Sequence, residues 1–136
     1  MAARFNLIGL VVADIARSAA FYRRLGLDIP EGDDHVDITL PGGMRLALDT
    51  VDVVKSFEPD WQPPVGGHRI ALAFECESPD GVDRTFKELT AAGATAHKEP
   101  WDAFWGQRYA VVLDPDGNHV ELFASQSPSE GPAAPA

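Results

Sequence analysis

The chain has 136 residues, 45% of them hydrophobic and 24% charged, with 21 acidic against 11 basic side chains and a formal net charge of −10. This length holds one domain with a real core but not two ordinary ones, and the acidic balance argues against nucleic acid as a partner and favours neutral or cationic ligands. No apolar run approaches the roughly 20 residues of a membrane helix, and Cys76, the single cysteine, excludes an intrachain disulfide and a cysteine-based zinc site.

Leu7 to Val12, "LIGLVV", reads as a strand and not as a signal peptide, which with the lone cysteine points to a cytoplasmic location. "DIARSAAFYRRLGL" follows as a helix. Asp14 is its N-cap, Ile15, Ala19, Tyr22 and Leu25 recur at helical spacing, and Gly26 stops it. Two short strands then flank Pro-Gly-Gly in "DITLPGGMRLALD". Residues 51–67 carry three prolines and end in Gly-Gly, so they read as a linker with room for one short helical turn. Arg69 to Phe74 is the next strand. "DGVDRTFKELTAAG" is a second helix, with Val82, Phe86 and Leu89 on one face and Gly93 as its stop. "VVLDPDGNHVELF" reads as a hairpin-like pair around a glycine-containing turn. Ser125 to Ala136 is small, polar and proline-rich and reads as a disordered tail.

The two halves, residues 5–50 and 68–124, can be overlaid. Leu7 to Leu10 falls on Arg69 to Leu72, and Arg45 to Leu48 on His119 to Leu122, a repeat of roughly 65 residues. Each half reads as strand, helix, then about three strands. The expected fold is α+β: two tandem βαβββ modules in a curved mixed sheet, with a concave cavity inside and helices outside. Strand alternation turns Ile70, Leu72 and Phe74 toward the helix. The same parity turns Phe5, Leu7, Arg45, Ala47 and Asp49 inward from the first half, and Arg69, Ala71, Ala73, His119, Glu121 and Phe123 from the second. Asp37 and Asp49 are candidate sources of negative charge for a cationic ligand. The facing of Arg108 to Leu113 stays open, because one residue more or less in the turn at Asp114 to Asn118 flips every side chain. Trp101, Phe104 and Trp105 cluster on what reads as the loop before that strand. They are candidates for a stacking platform at the cavity rim, a dimer contact or ordinary core. Glu121 sits inside an apolar strand and needs a partner, since an unpaired carboxylate in a core is costly.

The stretches "LIGLVVADIARSAAFYRRLGL" and "WGQRYAVVLDPDGNHVELF" resemble the vicinal-oxygen-chelate superfamily, which includes glyoxalase I, extradiol dioxygenases, fosfomycin-modifying enzymes and bleomycin-resistance proteins. The resemblance runs from Asn6 to Phe123. It implies paired βαβββ modules, commonly in a homodimer with pockets shared between chains. Enzymes of the group hold a divalent metal with four side chains, and the matching positions here are Leu7, Ala47, Arg69 and Glu121. Only Glu121 carries a donor, since Leu and Ala have none and Arg stays cationic. His68 is expected on the opposite face, and His119 with Glu121 makes at best a two-ligand pair. The expectation is therefore no metal and no cofactor, with Arg69 as the partner of Glu121. The function expected from the resemblance is metal-independent sequestration of a hydrophobic aromatic molecule, as in drug-binding resistance proteins. Trp101, Phe104, Trp105, Arg69, His119 and Glu121 from the second half, and Phe5, Leu7, Arg45, Ala47 and Asp49 from the first, are its expected contacts. The alternative is a lyase, isomerase or dioxygenase with Glu121 as general base or sole remaining metal ligand.

Overall fold

The computed structural model describes residues 3–126. Its elements follow in the order β1 (Leu7–Val12), α1 (Ile15–Arg24), β2 (His35–Thr39), β3 (Arg45–Thr50), α2 (Val51–Phe57), β4 (Ala71–Glu75), α3 (Pro79–Ala91), β5 (Thr95–Asp102), β6 (Gln107–Leu113) and β7 (His119–Ser125). Ser125 closes β7 and Gln126 follows it; the rest of the expected tail lies outside the described residues. The chain divides into two units between Gly66 and Gly67. None of the described helices is long and apolar enough to cross a membrane.

In the first unit, α1 starts where Asp14 accepts the backbone N–H of Arg17 at 3.0 Å. It ends before Gly26, whose φ of 95° lies in the left-handed region that glycine tolerates. Its buried face, Ile15, Ala19, Phe21 and Tyr22, packs on β3, where Leu46 and Leu48 are buried. The sheet has the order β1-β3-β2, with β1 parallel and β2 antiparallel to β3. Residues 51–57, read from sequence as linker with room for one short helical turn, form the helix α2 of seven residues. Thr50 caps it by accepting the N–H of Val53, and buried Val54 anchors it. This unit therefore runs β-α-β-β, and residues 27–34 form no strand.

The second unit has the full β-α-β-β-β order. Its sheet runs β4-β7-β6-β5, with β4 parallel to β7 and the other pairs antiparallel. Ser78 caps α3 by accepting the N–H of Gly81 at 3.1 Å, with Pro79 in the first turn. Val82, Phe86 and Leu89 lie buried on its inner face, and α3 packs over β5, β6 and β7. Ala110, Val112, Val120, Leu122 and Ala124 fill the sheet face beneath it, none more than 2% exposed.

The β6–β7 turn settles the facing that sequence left open. Asp114 Oδ1 accepts the N–H groups of Asp116 and Asn118, and its Oδ2 accepts the Asn118 amide, all within 2.9 Å. Gly117, at φ 88°, closes the turn. The resulting register sets Tyr109 opposite Phe123 and Val111 opposite Glu121, so Tyr109, Glu121 and Phe123 share the face turned away from α3.

Two expectations are corrected. The strand begins at Ala71, and Ile70, expected against the helix, is 76% exposed. The reason is that β4 is an edge strand, while α3 lies over the other three. The repeat also shifts by two residues: Leu7 pairs with Arg45 in the first unit and Ala71 with His119 in the second. Leu7 thus corresponds to Ala71 and not to Arg69.

Candidate functional site

Glu121 lies in the middle of β7 and is held by neighbours of its own unit. The Tyr109 hydroxyl donates to Glu121 Oε1 at 2.7 Å, and His119 Nε2 stands 3.5 Å from Oε2. Burial, then the bond to Glu121, raises the Tyr109 phenol well above its usual range, so the hydroxyl keeps its proton and serves as donor. His119 is 8% exposed. Burial lowers its imidazole pKa and neighbouring His68 and His97 lower it further, against the pull of Glu121. His119 is accordingly neutral at pH 7.

The expected Arg69 partner does not reach this carboxylate. Ala73 is the residue of β4 opposite Glu121. Arg69 precedes β4, is exposed, and forms no ion pair with Glu121 among the described residues. His68 also departs from expectation. It stacks on His119 with ring centroids 3.7 Å apart and planes 6° from parallel, while His97 of β5 meets His119 edge-on at 5.1 Å. His68 sits in the irregular segment before β4, where strand alternation does not govern facing.

These donors do not fit a divalent metal. Leu7, Ala47 and Ala71, the residue the register sets in correspondence with Leu7, offer no donor atom, and Arg69 offers only a cation. An imidazole binds a metal in its ring plane, and two nearly parallel stacked planes do not share a point where one ion can sit. Among the described residues no group of three or more His, Cys, Asp or Glu side chains is placed to hold a metal ion.

Beside Tyr109 the aromatic side chains gather. Trp101 belongs to β5, paired directly with Tyr109, and not to a loop as expected. Phe104 and Trp105 occupy a tight turn in which the Ala103 N–H donates to the Gln107 carbonyl and the Gly106 N–H to the Ala103 carbonyl. Trp101 meets Tyr109 at 5.6 Å and Trp105 at 6.2 Å; Trp105 meets Tyr109 at 5.4 Å and Phe104 at 4.9 Å, all edge-to-face. Phe123 stacks on Tyr109 at 5.9 Å. Phe104 is 96% exposed, and Trp101 and Trp105 are half-buried. Lys98 Nζ lies 4.5 Å from the centroid of the Trp101 ring, within cation–π range. The Trp105 indole N–H donates to Gln107 Oε1 at 2.8 Å, and Gln107 is fully buried. Sequence reasoning missed Tyr109 and Gln107 because the facing of β6 hung on the turn.

The first unit carries the other expected contacts. Phe5, before β1, is 75% exposed, Leu7 is half-buried and Ala47 is buried on β3. Arg45 donates to Asn6 Oδ1 at 3.2 Å and pairs with Asp37 at 3.4 Å. His35 bridges Asp49 at 2.5 Å and Asp37 at 2.9 Å, and those bonds raise its pKa. Asp37 and Asp49 thus already have cationic or proton-donating partners within their own sheet.

The strand–helix–three-strand unit, with its first strand parallel to its last, is the vicinal-oxygen-chelate module. Residues 4–122 match the model of the Glyoxalase/Bleomycin resistance protein/Dioxygenase superfamily, and the chain belongs to that family. A protein of unknown function from Agrobacterium tumefaciens str. C58 is 30% identical, with a TM-score of 0.69 over 92% of this chain and 96% of that one. A glyoxalase/bleomycin resistance protein/dioxygenase family enzyme from Burkholderia phytofirmans PsJN is 20% identical, with a TM-score of 0.77 over 90% and 99%. A glyoxalase/bleomycin resistance protein/dioxygenase from Nocardioides is 24% identical, with a TM-score of 0.74 over 100% and 91%. At 20% and 24% identity the likeness is one of fold. No curated protein matches the chain.

Proposed function

We propose that the protein binds a planar aromatic small molecule, neutral or cationic, and holds it chemically unchanged, in the manner of the drug-sequestering resistance proteins of its family. The observation that carries this reading is the aromatic cluster of Trp101, Phe104, Trp105, Tyr109 and Phe123. It leaves Phe104 exposed on a turn, and a ring stacked on such a surface gains about 0.5–1.5 kcal/mol per contact beyond its buried area. The net charge of −10 favours a neutral or cationic ligand over an anionic one. Metal independence is part of the proposal and rests on the donor chemistry of Leu7, Ala47, Ala71 and Arg69, none of which can ligate a divalent metal. The protein is further proposed to act in the cytoplasm as a homodimer.

A second reading has its own observation. Glu121, with Tyr109 on one oxygen and His119 near the other, is the arrangement a metal-free lyase or isomerase needs for proton transfer. One experiment separates the two. The purified chain is incubated with planar aromatic compounds, binding is followed by tryptophan fluorescence, and the compounds are recovered by mass spectrometry. Sequestration returns them unchanged. A new product, abolished by Glu121→Gln, would establish the enzyme instead.

A further inference from the structure

Gln126, the last described residue, is tied to the turn that carries the aromatic cluster. Its backbone N–H donates to the Gly106 carbonyl at 3.0 Å, and its side-chain amide donates to Asp102 at the end of β5. Gly106 follows Phe104 and Trp105 in that turn. Residues 127–136 therefore start from the rim of the cluster. The cluster presents an apolar surface there: Phe104 is almost wholly exposed, and Trp101 and Trp105 are half-buried beside it. Contiguous exposed rings of this kind mark a place where something docks. The indole N–H of Trp105 is already spent on Gln107, so that side chain has its ring faces to offer and not its donor.

We infer that residues 127–135 dock on the aromatic cluster of their own chain, with proline rings seated against Phe104, Trp105 and Trp101. The stretch reads "SPSEGPAAP", with prolines at 128, 132 and 135 and Glu130 as its one charged side chain. Such a segment is too poor in apolar side chains to form a core of its own, but it suits an aromatic surface. A proline ring is flat and apolar, brings no backbone N–H to desolvate, and has φ already fixed, so it loses little freedom on docking. The charges also agree, since Lys98 holds its ammonium over the Trp101 ring and Glu130 carries the opposite sign. The reach is sufficient. At about 3.1 Å per extended residue, Pro128 comes within about 6 Å of Gln126 and Pro132 within about 19 Å, while Trp105 lies 4.9 Å from Phe104 and 6.2 Å from Trp101 between ring centroids. The tether favours this occupant over a second copy. A linked segment meets its site at an effective concentration on the order of millimolar, so contacts too weak to hold a free peptide suffice.

The test is nuclear magnetic resonance of the full chain against a free peptide of residues 127–136. In the chain, ring protons of Pro128, Pro132 or Pro135 are expected upfield of their positions in the peptide, shifted by the aromatic ring currents, with cross-relaxation to ring protons of Phe104 or Trp105. Phe104→Ala, at an exposed position, is expected to shrink the upfield shift. In an equal mixture of uniformly isotope-labelled and unlabelled chains, filtered spectra are expected to show no proline–aromatic contact between copies. Proline shifts equal to those of the free peptide overturn the inference, as does an upfield shift unchanged by Phe104→Ala. Contacts found only between copies also overturn it and make a second chain the occupant. No compound is added in these spectra, so the inference is decided apart from the small-molecule reading, whose own test is the binding of added aromatics.

Discussion

At the scale of single residues, the carboxylate in the last strand is satisfied by a phenol and not by a guanidinium. Tyr109→Phe removes the 2.7 Å donor to Glu121, so urea unfolding should show a loss of about 1–3 kcal/mol. Glu121→Gln keeps an acceptor for the hydroxyl and should cost less. Arg69→Ala should leave stability unchanged. A neutral Tyr109→Phe together with a damaging Arg69→Ala would mean the pairing described is wrong. Two histidines should give pH effects of opposite sign. His35 is raised by Asp49 and Asp37, so its stabilisation is full below the unfolded value of about 6.5 and fades as pH climbs through the folded value. His119 is lowered, chiefly by burial, so the stability its neutral form allows is present above about 6.5 and lost as pH falls through the folded value. Melting temperatures between about pH 5 and 9 should show His35→Gln flattening the alkaline side of the profile and His119→Gln the acid side. The parity of Glu121 was legible from alternation, but its partner was not. Alternation tells which face a side chain takes and leaves open how far along a neighbouring strand its partner lies, which is why Arg69 was the natural choice and Tyr109 the actual one.

At the scale of elements, the β6–β7 turn does most to build the site. Asp114→Ala deletes three hydrogen bonds of that turn and should cost about 2–3 kcal/mol. Because the turn sets the register that brings Tyr109 to Phe123 and Glu121, near-ultraviolet circular dichroism of the aromatic cluster should change with it. An unchanged spectrum and melting point would show that the register is fixed elsewhere. Both longer helices were readable because apolar period and terminal glycine agree at each, with the Asp14 cap as a third signal for α1; the Ser78 cap of α3 was not read. Two other elements were harder to read, α2 being expected only as one short turn within a linker and β5 as a loop, for physical reasons. The short helix α2 depends on its Thr50 cap and on Val54, and the prolines that follow mask it. Strand β5, "TAHKEPWD", carries Pro100 and charged residues and is irregular in its pairing with β6. Those are the marks of a protected edge strand, and in sequence they look like a loop.

At the scale of the whole molecule, family and chemistry come apart. Two stretches of sequence sufficed to recognise the superfamily, but fold membership does not choose among its functions. The pairing of Tyr109 with Glu121, on which the proposed site is built, depends on a turn. Each sheet ends in two edge strands, which a second chain can cover. Light scattering at micromolar concentration is expected to give a dimer, and a monomer would remove the proposed homodimer. The central claim, a stacking platform that holds its ligand unchanged, is tested most directly by calorimetric titration of fluorenone into wild type and Trp101→Ala, with the ligand recovered afterwards by mass spectrometry. The account predicts saturable binding that weakens about five- to thirtyfold in the variant, the equivalent of roughly 1–2 kcal/mol, and full recovery of intact fluorenone. Undiminished binding by Trp101→Ala would contradict it.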